Sequence, residues 1–146
     1  MNYSADTIVI LGLGLIGGSL ARALRRSGFG GRFVGYGHRE PSLHRGLELG
    51  VIDDYTLDLN SAIDQADIIV IATPTLMASQ MLEQILPRLR GRDRCPVITD
   101  VASVKGNLQR SAESVWGCMP PSLVLGHPIA GSERSGVDAS DENLFV

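Results

Sequence analysis

Aromatic side chains are scarce in this 146-residue chain: one Trp, three Tyr and three Phe make up 5% of it. The core must therefore be built from Leu, Ile, Val and Ala, which are well supplied in a sequence that is 44% hydrophobic. Cysteine is scarcer still. Cys95 and Cys118 show neither metal-type spacing nor a disulfide framework, so no metal site is expected and a reducing, cytoplasmic setting fits. A basic excess is missing too. Thirteen Lys and Arg against 16 Asp and Glu leave a net charge of −3, which argues against a nucleic-acid partner. The one basic cluster, Arg22, Arg25 and Arg26, follows helical spacing and reads as a solvated face. No uninterrupted run of about 18 apolar residues occurs, so no membrane span is expected. The opening Met1-Asn2-Tyr3-Ser4-Ala5-Asp6 lacks the basic and apolar parts of a secretory signal. Internal repeats, low-complexity tracts and interdomain linkers are absent, and the length suits one domain, residues 1–146, with a proper core.

What is present begins near the start. Thr7-Ile8-Val9-Ile10-Leu11 is an apolar, β-branched run that reads as a buried strand. Gly12-Leu13-Gly14-Leu15-Ile16-Gly17 follows directly, and Ser19 to Arg26 reads as a helix with apolar positions at 20, 21, 23 and 24. Strand, G-x-G-x-x-G turn and helix in that order form a dinucleotide-binding fingerprint. Gly12 permits the tight turn, Gly14 lets a pyrophosphate approach the backbone, and Gly17 lets the helix pack against the strand. The helix N-terminus offers N–H groups and a positive dipole end to the phosphates. Gly12, Gly14, Leu15, Ile16 and Gly17 are thus candidate cofactor-binding residues.

Strands and helices then alternate. Strands are predicted at 32–36, briefly at Val51-Ile52, at 67–73, at 96–101 and at 122–126. Helices are predicted at 41–49, with Pro41 in the first turn, and at 60–66, with Asn60 or Ser61 as cap. Two more are predicted at 76–89, bent or ended early by Pro87, and at 104–115. Met77, Met81 and Leu82 read as core on helical spacing. Repeated β-α-β order implies an α/β, Rossmann-type, doubly wound, mostly parallel sheet with helices on both faces. From Ile129 to Val146 no convincing helix is seen. This irregular tail breaks off in mid-pattern, which reads as the cofactor half of something larger.

In an open parallel sheet, ligands bind outside the carboxyl ends of the strands. Thr73-Pro74, Asp100 to Lys105 and His127 to Glu133 arrive there beside the glycine turn. They bring the hydroxyls of Thr73 and Ser103, the imidazole of His127 and the charges of Asp100, Lys105 and Glu133. Taken singly, each has a structural alternative. Ser103 can cap the next helix, Thr73-Pro74 can simply end a strand, and Glu133 can be a surface carboxylate. His38 and His44 sit in a polar segment and are expected to be exposed, with His38 near the cofactor.

Three segments together resemble the prephenate dehydrogenase family, which includes arogenate and cyclohexadienyl dehydrogenases. They are Gly12 to Ser19, Asp100-Val101-Ala102-Ser103-Val104-Lys105, and Gly126-His127-Pro128-Ile129-Ala130-Gly131-Ser132-Glu133-Arg134-Ser135-Gly136. The first motif is generic, whereas the other two, in this order and spacing, are far more specific. The resemblance covers nearly all of the chain, but only the family's N-terminal nucleotide domain. It implies an oxidoreductase of tyrosine biosynthesis that oxidatively decarboxylates prephenate or arogenate by hydride transfer to NAD or NADP. It implies His127 as the proton acceptor and Ser103 as the hydroxyl that orients substrate oxygen, imidazole and nicotinamide. Ser132 and Glu133 then face the substrate, and Thr73 and Pro74 lie by the nicotinamide ribose. It also implies an all-helical C-terminal domain that forms a homodimer and supplies basic substrate-binding groups. That domain has no counterpart in these 146 residues, and the chain alone is expected to turn over substrate weakly or not at all.

The sequence departs from the usual pattern at one cofactor position. A site for NAD commonly places Asp or Glu at the end of the second strand to hold the ribose 2′-hydroxyl. Here that position is Gly37, within Tyr36-Gly37-His38-Arg39-Glu40. Gly37 leaves room for a 2′-phosphate that His38 and Arg39 could neutralise, which argues for tolerance of NADP. Family habit favours NAD, and Arg39 could instead stack on the adenine. Two other readings compete for the whole chain. One is a dinucleotide-binding or sensing module without turnover, and the other is the cofactor domain of another small-substrate reductase. The second would not explain His127-Pro128 or Asp100 to Lys105 in these places.

Overall fold

The strand β1 (Thr7–Leu11) is the hinge of the architecture, because its side chains are buried on both faces of the sheet. Ile8 and Ile10 point into one apolar layer and Val9 and Leu11 into the other. A continuous apolar run is what a doubly covered parallel strand requires. The computed structural model describes residues 4–102, 106–126 and 136–145.

Around β1 lie α1 (Leu15–Arg26), β2 (Arg32–Tyr36), α2 (Glu40–Glu48), β3 (Asp54–Thr56), α3 (Leu59–Gln65) and β4 (Ile68–Ile71). They are followed by α4 (Thr75–Leu89), β5 (Val97–Asp100), α5 (Gly106–Trp116), β6 (Leu123–Val124) and a 3₁₀ turn at Val137–Ala139. The sheet is six-stranded, in the order β3-β2-β1-β4-β5-β6, and every pairing is parallel. This is the expected doubly wound topology, with its switch point between β1 and β4. One layer packs Ile8, Ile10, Phe33 and Val70 against α1 and α2. The other packs Val9, Leu11, Ile69, Ile71 and Ile98 against α3, α4 and α5. As the composition demanded, Phe33 is the lone aromatic among the largest fully buried side chains. Among the described residues, no helix is long and apolar enough to cross a membrane.

Several local expectations are corrected. The helix after the glycine turn starts at Leu15, four residues before Ser19, so Gly17 and Gly18 are helical. Val51 and Ile52 form no strand. They are buried plugs in the α1–α2 layer, and the strand follows them at Asp54–Thr56. Helix α3 is capped by Asp58, whose Oδ2 accepts from the Ser61 N–H at 3.0 Å, rather than by Asn60 or Ser61. Asn60 instead accepts from Arg88 Nε at 2.7 Å. Pro87 does not end α4 early, because its ring is exposed while Ile85, Leu86 and Leu89 stay fully packed. The cost of one lost helical bond is offset by that burial. Strand β6 is only two residues long, since the N–H of Gly126 turns to the Asp100 carboxylate.

The basic cluster on α1 is not a free solvated face. Arg25 pairs with Asp53 at 2.6 Å and lies over the Phe33 ring. Arg22 donates from Nε to Ser140 Oγ at 2.7 Å, and Arg26 reaches Asn143 and Glu142. Ser19, wholly buried in α1, accepts the Asp141 N–H at 2.8 Å. The described part of the tail, residues 136–145, is therefore fastened across α1, with Val137 in the core.

Asp67 anchors the opening of the sheet. Its Oδ2 accepts the N–H groups of Asp6 and Thr7, both at 2.9 Å, and Arg94 donates to Oδ1 at 2.6 Å. Burial alone would raise its pKa, but the two backbone bonds and the Arg94 charge outweigh it and hold the carboxyl below its ordinary value. A depressed folded-state pKa stabilises the fold above the unfolded carboxyl's pKa. That contribution is lost as pH falls through the folded-state value. Asp67→Asn is expected to cost about 1–2 kcal/mol at neutral pH, because an amide oxygen replaces a charged acceptor. In urea titrations across the acid range, the gap between wild type and variant should close as pH drops. A gap that stays constant with pH would show that Asp67 contributes nothing through its charge.

Candidate functional site

The chain leaves β1 at Leu11 and turns sharply at Gly12, whose φ of +87° favours glycine. The Gly12 N–H still donates to Tyr36 O at 3.0 Å, so the turn stays stitched to β2. A β-carbon at Gly12 would stand 2.7 Å from Thr73 Cγ2 and 3.0 Å from the Ala72 backbone. At Gly17 it would stand 2.8 Å from Ile10 Cγ2 and 2.9 Å from Gly12 O. These two glycines are thus demanded by packing, as the sequence pattern predicts.

Gly14 differs. Nothing lies within 4 Å of where its β-carbon would stand, and its φ is negative, −125°. It is the N-cap of α1 and makes no side-chain cap bond, and the first turn carries no acidic residue. The first-turn N–H groups of a helix lack intrahelical partners. Here they stand at the positive end of a twelve-residue helix whose cap is empty of side chain. The arrangement suits an anion approaching the backbone.

This helix end opens on a cleft of about 390 Å³ at the carboxyl ends of β1, β2 and β4. Gly12, Leu13 and Gly14 form its floor. Gly37, His38 and Arg39 follow β2 on one side, with Ser42 and Leu43 from α2. Ala72, Thr73 and Pro74 follow β4 on the other, with Met77 and Met81 from α4. The volume falls within the range of small-ligand and cofactor sites. Thr73 Oγ1 is buried and lacks a hydrogen-bond partner among the described residues. An unpaired buried hydroxyl is costly, and such groups cluster where a ligand completes them.

The cleft thus assembles Gly12, Gly14, His38, Arg39, Thr73 and Pro74 from the sequence-predicted cofactor residues. Leu15 and Ile16 sit in the first turn of α1 without lining it, and Gly17 is buried behind the turn. His38 is exposed as expected, with its ring edge-on to Tyr36. His44 is exposed too, and faces Glu48 at 3.1 Å. Met81 and Leu82 are core, but Met77 is 38% exposed and belongs to the cleft wall. Helical spacing alone could not separate the two environments. Ser42 and Gly136 also line the cleft and were not anticipated. Ser42 had a usable signal, since it lies three residues after Arg39 in the first turn of α2.

Asp100 is not a charge offered to the cleft. It is 2% exposed and accepts the Ala102 N–H at 2.9 Å and the Gly126 N–H at 3.1 Å. Ser103, Lys105, His127, Ser132 and Glu133 lie outside the described residues. Among the described residues, no group of three or more His, Cys, Asp or Glu side chains could hold a metal ion.

The two kinds of glycine are separable by stability. Gly17→Ala should cost about 1–3 kcal/mol, because its methyl meets a packed branch of Ile10 and a backbone oxygen. Gly14→Ala should cost no more than about 1 kcal/mol, the penalty for a poorer N-cap. Urea unfolding midpoints measure both, and an equal loss at the two sites would contradict the packing described.

Comparison with known proteins agrees with this geometry. The family model described as "Prephenate dehydrogenase, nucleotide-binding domain" matches residues 20–146. A prephenate dehydrogenase of Bacillus subtilis is 40% identical over 99% of this chain, which spans 38% of that protein. The crystal structure of prephenate dehydrogenase from A. aeolicus, in complex with hydroxyphenyl propionate and NAD+, superposes with a TM-score of 0.85 at 34% identity. It is matched by 99% of this chain and to 49% of its own length. A Synechocystis arogenate dehydrogenase gives a TM-score of 0.80 at 34% identity, with 96% of this chain and 47% of that one covered. The chain therefore spans well under two thirds of the proteins it resembles. With the fold, the glycine turn and the cleft in agreement, the chain belongs to the nucleotide-binding domain family of the prephenate dehydrogenases.

Proposed function

We propose that this domain binds a nicotinamide dinucleotide across the cleft and serves a protein that oxidatively decarboxylates prephenate or arogenate. The observation that carries the proposal is the uncapped N-terminus of α1 behind an unobstructed Gly14, at the β1/β4 switch point. Gly12 and Gly14 with the first turn of α1 would hold the pyrophosphate. Gly37 to Arg39 would face the adenosine ribose. Thr73 and Pro74 would face the nicotinamide ribose, whose hydroxyls can supply the partner that Thr73 Oγ1 lacks. The residues present fit the cofactor, which when bound supplies the hydride acceptor.

The remaining chemistry asks little of the protein. As hydride leaves the carbinol carbon, the substrate hydroxyl becomes acidic and its proton needs an acceptor. Neutral His127 takes that proton, and Ser103 holds the hydroxyl oxygen in line. Loss of carboxylate as CO2 is driven by aromatisation of the ring. Ser132 and Glu133 complete the substrate side. Prephenate carries two carboxylates; among the described residues His38 and Arg39 are the basic side chains on the cleft, and bidentate arginines from sequence beyond this domain would complete the hold. We place the whole protein in the cytoplasm, as a homodimer formed through that further sequence.

Two measurements test the reading. Calorimetry should detect binding of NAD+ or NADP+ by the chain, and Gly14→Val should abolish it while circular dichroism shows a folded domain. Unchanged affinity in folded Gly14→Val would sink the assignment of the pyrophosphate. In the whole protein, His127→Asn should lower turnover about 10²–10⁴-fold, as expected for loss of a general base. The acidic limb of the pH–rate profile should vanish with it, since protonated imidazole cannot accept the hydroxyl proton. A variant with near-normal rate and an unchanged acidic limb would make His127 structural.

A further inference from the structure

The end of β2 departs from what an NAD site needs, and the departure is not imposed by the backbone. Gly37 has no positive φ, unlike Gly12, Gly28 and Gly50. The nearest atom to a β-carbon built there is Leu43 Cδ2 at 4.0 Å, an ordinary contact. A side chain would fit. The glycine therefore leaves space that the fold does not require, in the wall of the cleft.

No carboxylate lines this space among the described residues. His38 and Arg39 follow Gly37 directly, both exposed, and both line the cleft with Ser42. Among the described residues no carboxylate pairs with either, because the neighbouring acids are engaged elsewhere. The Glu40 carboxylate accepts the Tyr55 hydroxyl at 2.9 Å. Glu48 faces His44 and Arg45 at the far end of α2, and Asp138 pairs with Arg45 at 2.8 Å. The N-terminus of α2, a nine-residue helix with Arg39 as N-cap and no side-chain cap bond, adds its dipole in the same place.

We infer that Gly37, His38, Arg39 and Ser42 form a subsite for a phosphate on the adenosine ribose 2′-position, so that this domain prefers NADP(H) to NAD(H). The inference rests on the dinucleotide reading above. An acid in place of Gly37 would hold a 2′-hydroxyl and repel a phosphate. The empty space instead admits the phosphate, whose charge of about −2 at neutral pH meets a guanidinium and an imidazole. Arg39 supplies planar, paired donors suited to phosphate oxygens. Ser42 adds a hydroxyl donor from the first turn of α2. The missing acid and a guanidinium without a carboxylate partner among the described residues are two sides of one preference, since specificity is a difference of affinities.

The test is a set of calorimetric affinities of the chain for NADP+ and NAD+, with adenosine 2′,5′-bisphosphate and 5′-AMP as fragments without nicotinamide. NADP+ should bind about tenfold or more tightly than NAD+, the ratio that one added charge-assisted hydrogen bond supplies. The bisphosphate should exceed 5′-AMP by a similar factor. Arg39→Ala should remove most of that ratio while changing NAD+ affinity less than about threefold. An Arg39 that merely stacked on the adenine would cost both cofactors the same factor. Gly37→Asp, which the local space accommodates, should reverse the preference. Equal or tighter binding of NAD+ by the wild-type chain would overturn the subsite while leaving the dinucleotide reading intact. Failure to bind either cofactor would overturn both.

Discussion

Everything around the cleft depends on how closely α1 approaches β1. The helix can lie where it does because residue 17 has no side chain. A single methyl there would meet Ile10 and the carbonyl of Gly12. The same economy recurs at Gly12, which nestles against Ala72 and the Thr73 methyl at the end of β4. These two close contacts fix the β1–α1 turn against its neighbour strand across the switch point. They aim the helix axis at the cleft, and Gly14 is left free above it. Of the three motif glycines, two make the geometry and one leaves it open to a ligand.

Carboxylates that accept backbone N–H groups tie the sheet at its ends. At the amino ends, carboxylates accept backbone N–H groups. Asp67 does so for Asp6 and Thr7, and Asp53 accepts the Phe33 N–H at 2.8 Å while paired with Arg25. For Asp53 burial opposes ionisation, but the Phe33 bond and the charges of Arg25 and Arg32 prevail and its pKa is lowered. At the carboxyl ends of β1 and β2, glycines, His38 and Arg39 prevail instead. No carboxylate lines the cleft among the described residues, which leaves that end of β1 and β2 receptive to anions.

The legible parts of the chain were those with a strong local period or a motif with a physical task. The runs at 7–11 and 68–71 are continuous and apolar because both faces are covered, and they read directly as central strands. Other features depended on partners far away in sequence. Gly17 and Gly18 disguise the first turn of α1, because low helix propensity is overridden by close packing. Pro87 survives within α4 because its ring faces out. Val51 and Ile52 have strand-like character, yet their place is set by a layer of helices. The arginines of α1 looked like a solvent face because their partners, Asp53 and Ser140, lie 28 and 118 residues away. Within the site, both walls of the cleft could be named from sequence at Thr73-Pro74 and His38-Arg39. The exposure of Met77 and the role of Ser42 could not, since both turn on where α4 and α2 begin.

The buried carboxylate of Asp100 has a consequence beyond its own hydrogen bonds. The ladder between β5 and β6 ends at Thr99 and Val124, and the side chain continues the spacing by holding the amides of residues 102 and 126. The segments that carry Ser103 and His127 thus depart from launch points tied to one acceptor. Loss of the carboxylate at residue 100 would release the amides of residues 102 and 126 together, because one side chain holds both. Two stretches of chain 24 residues apart thus share a single point of failure, the carboxylate of Asp100.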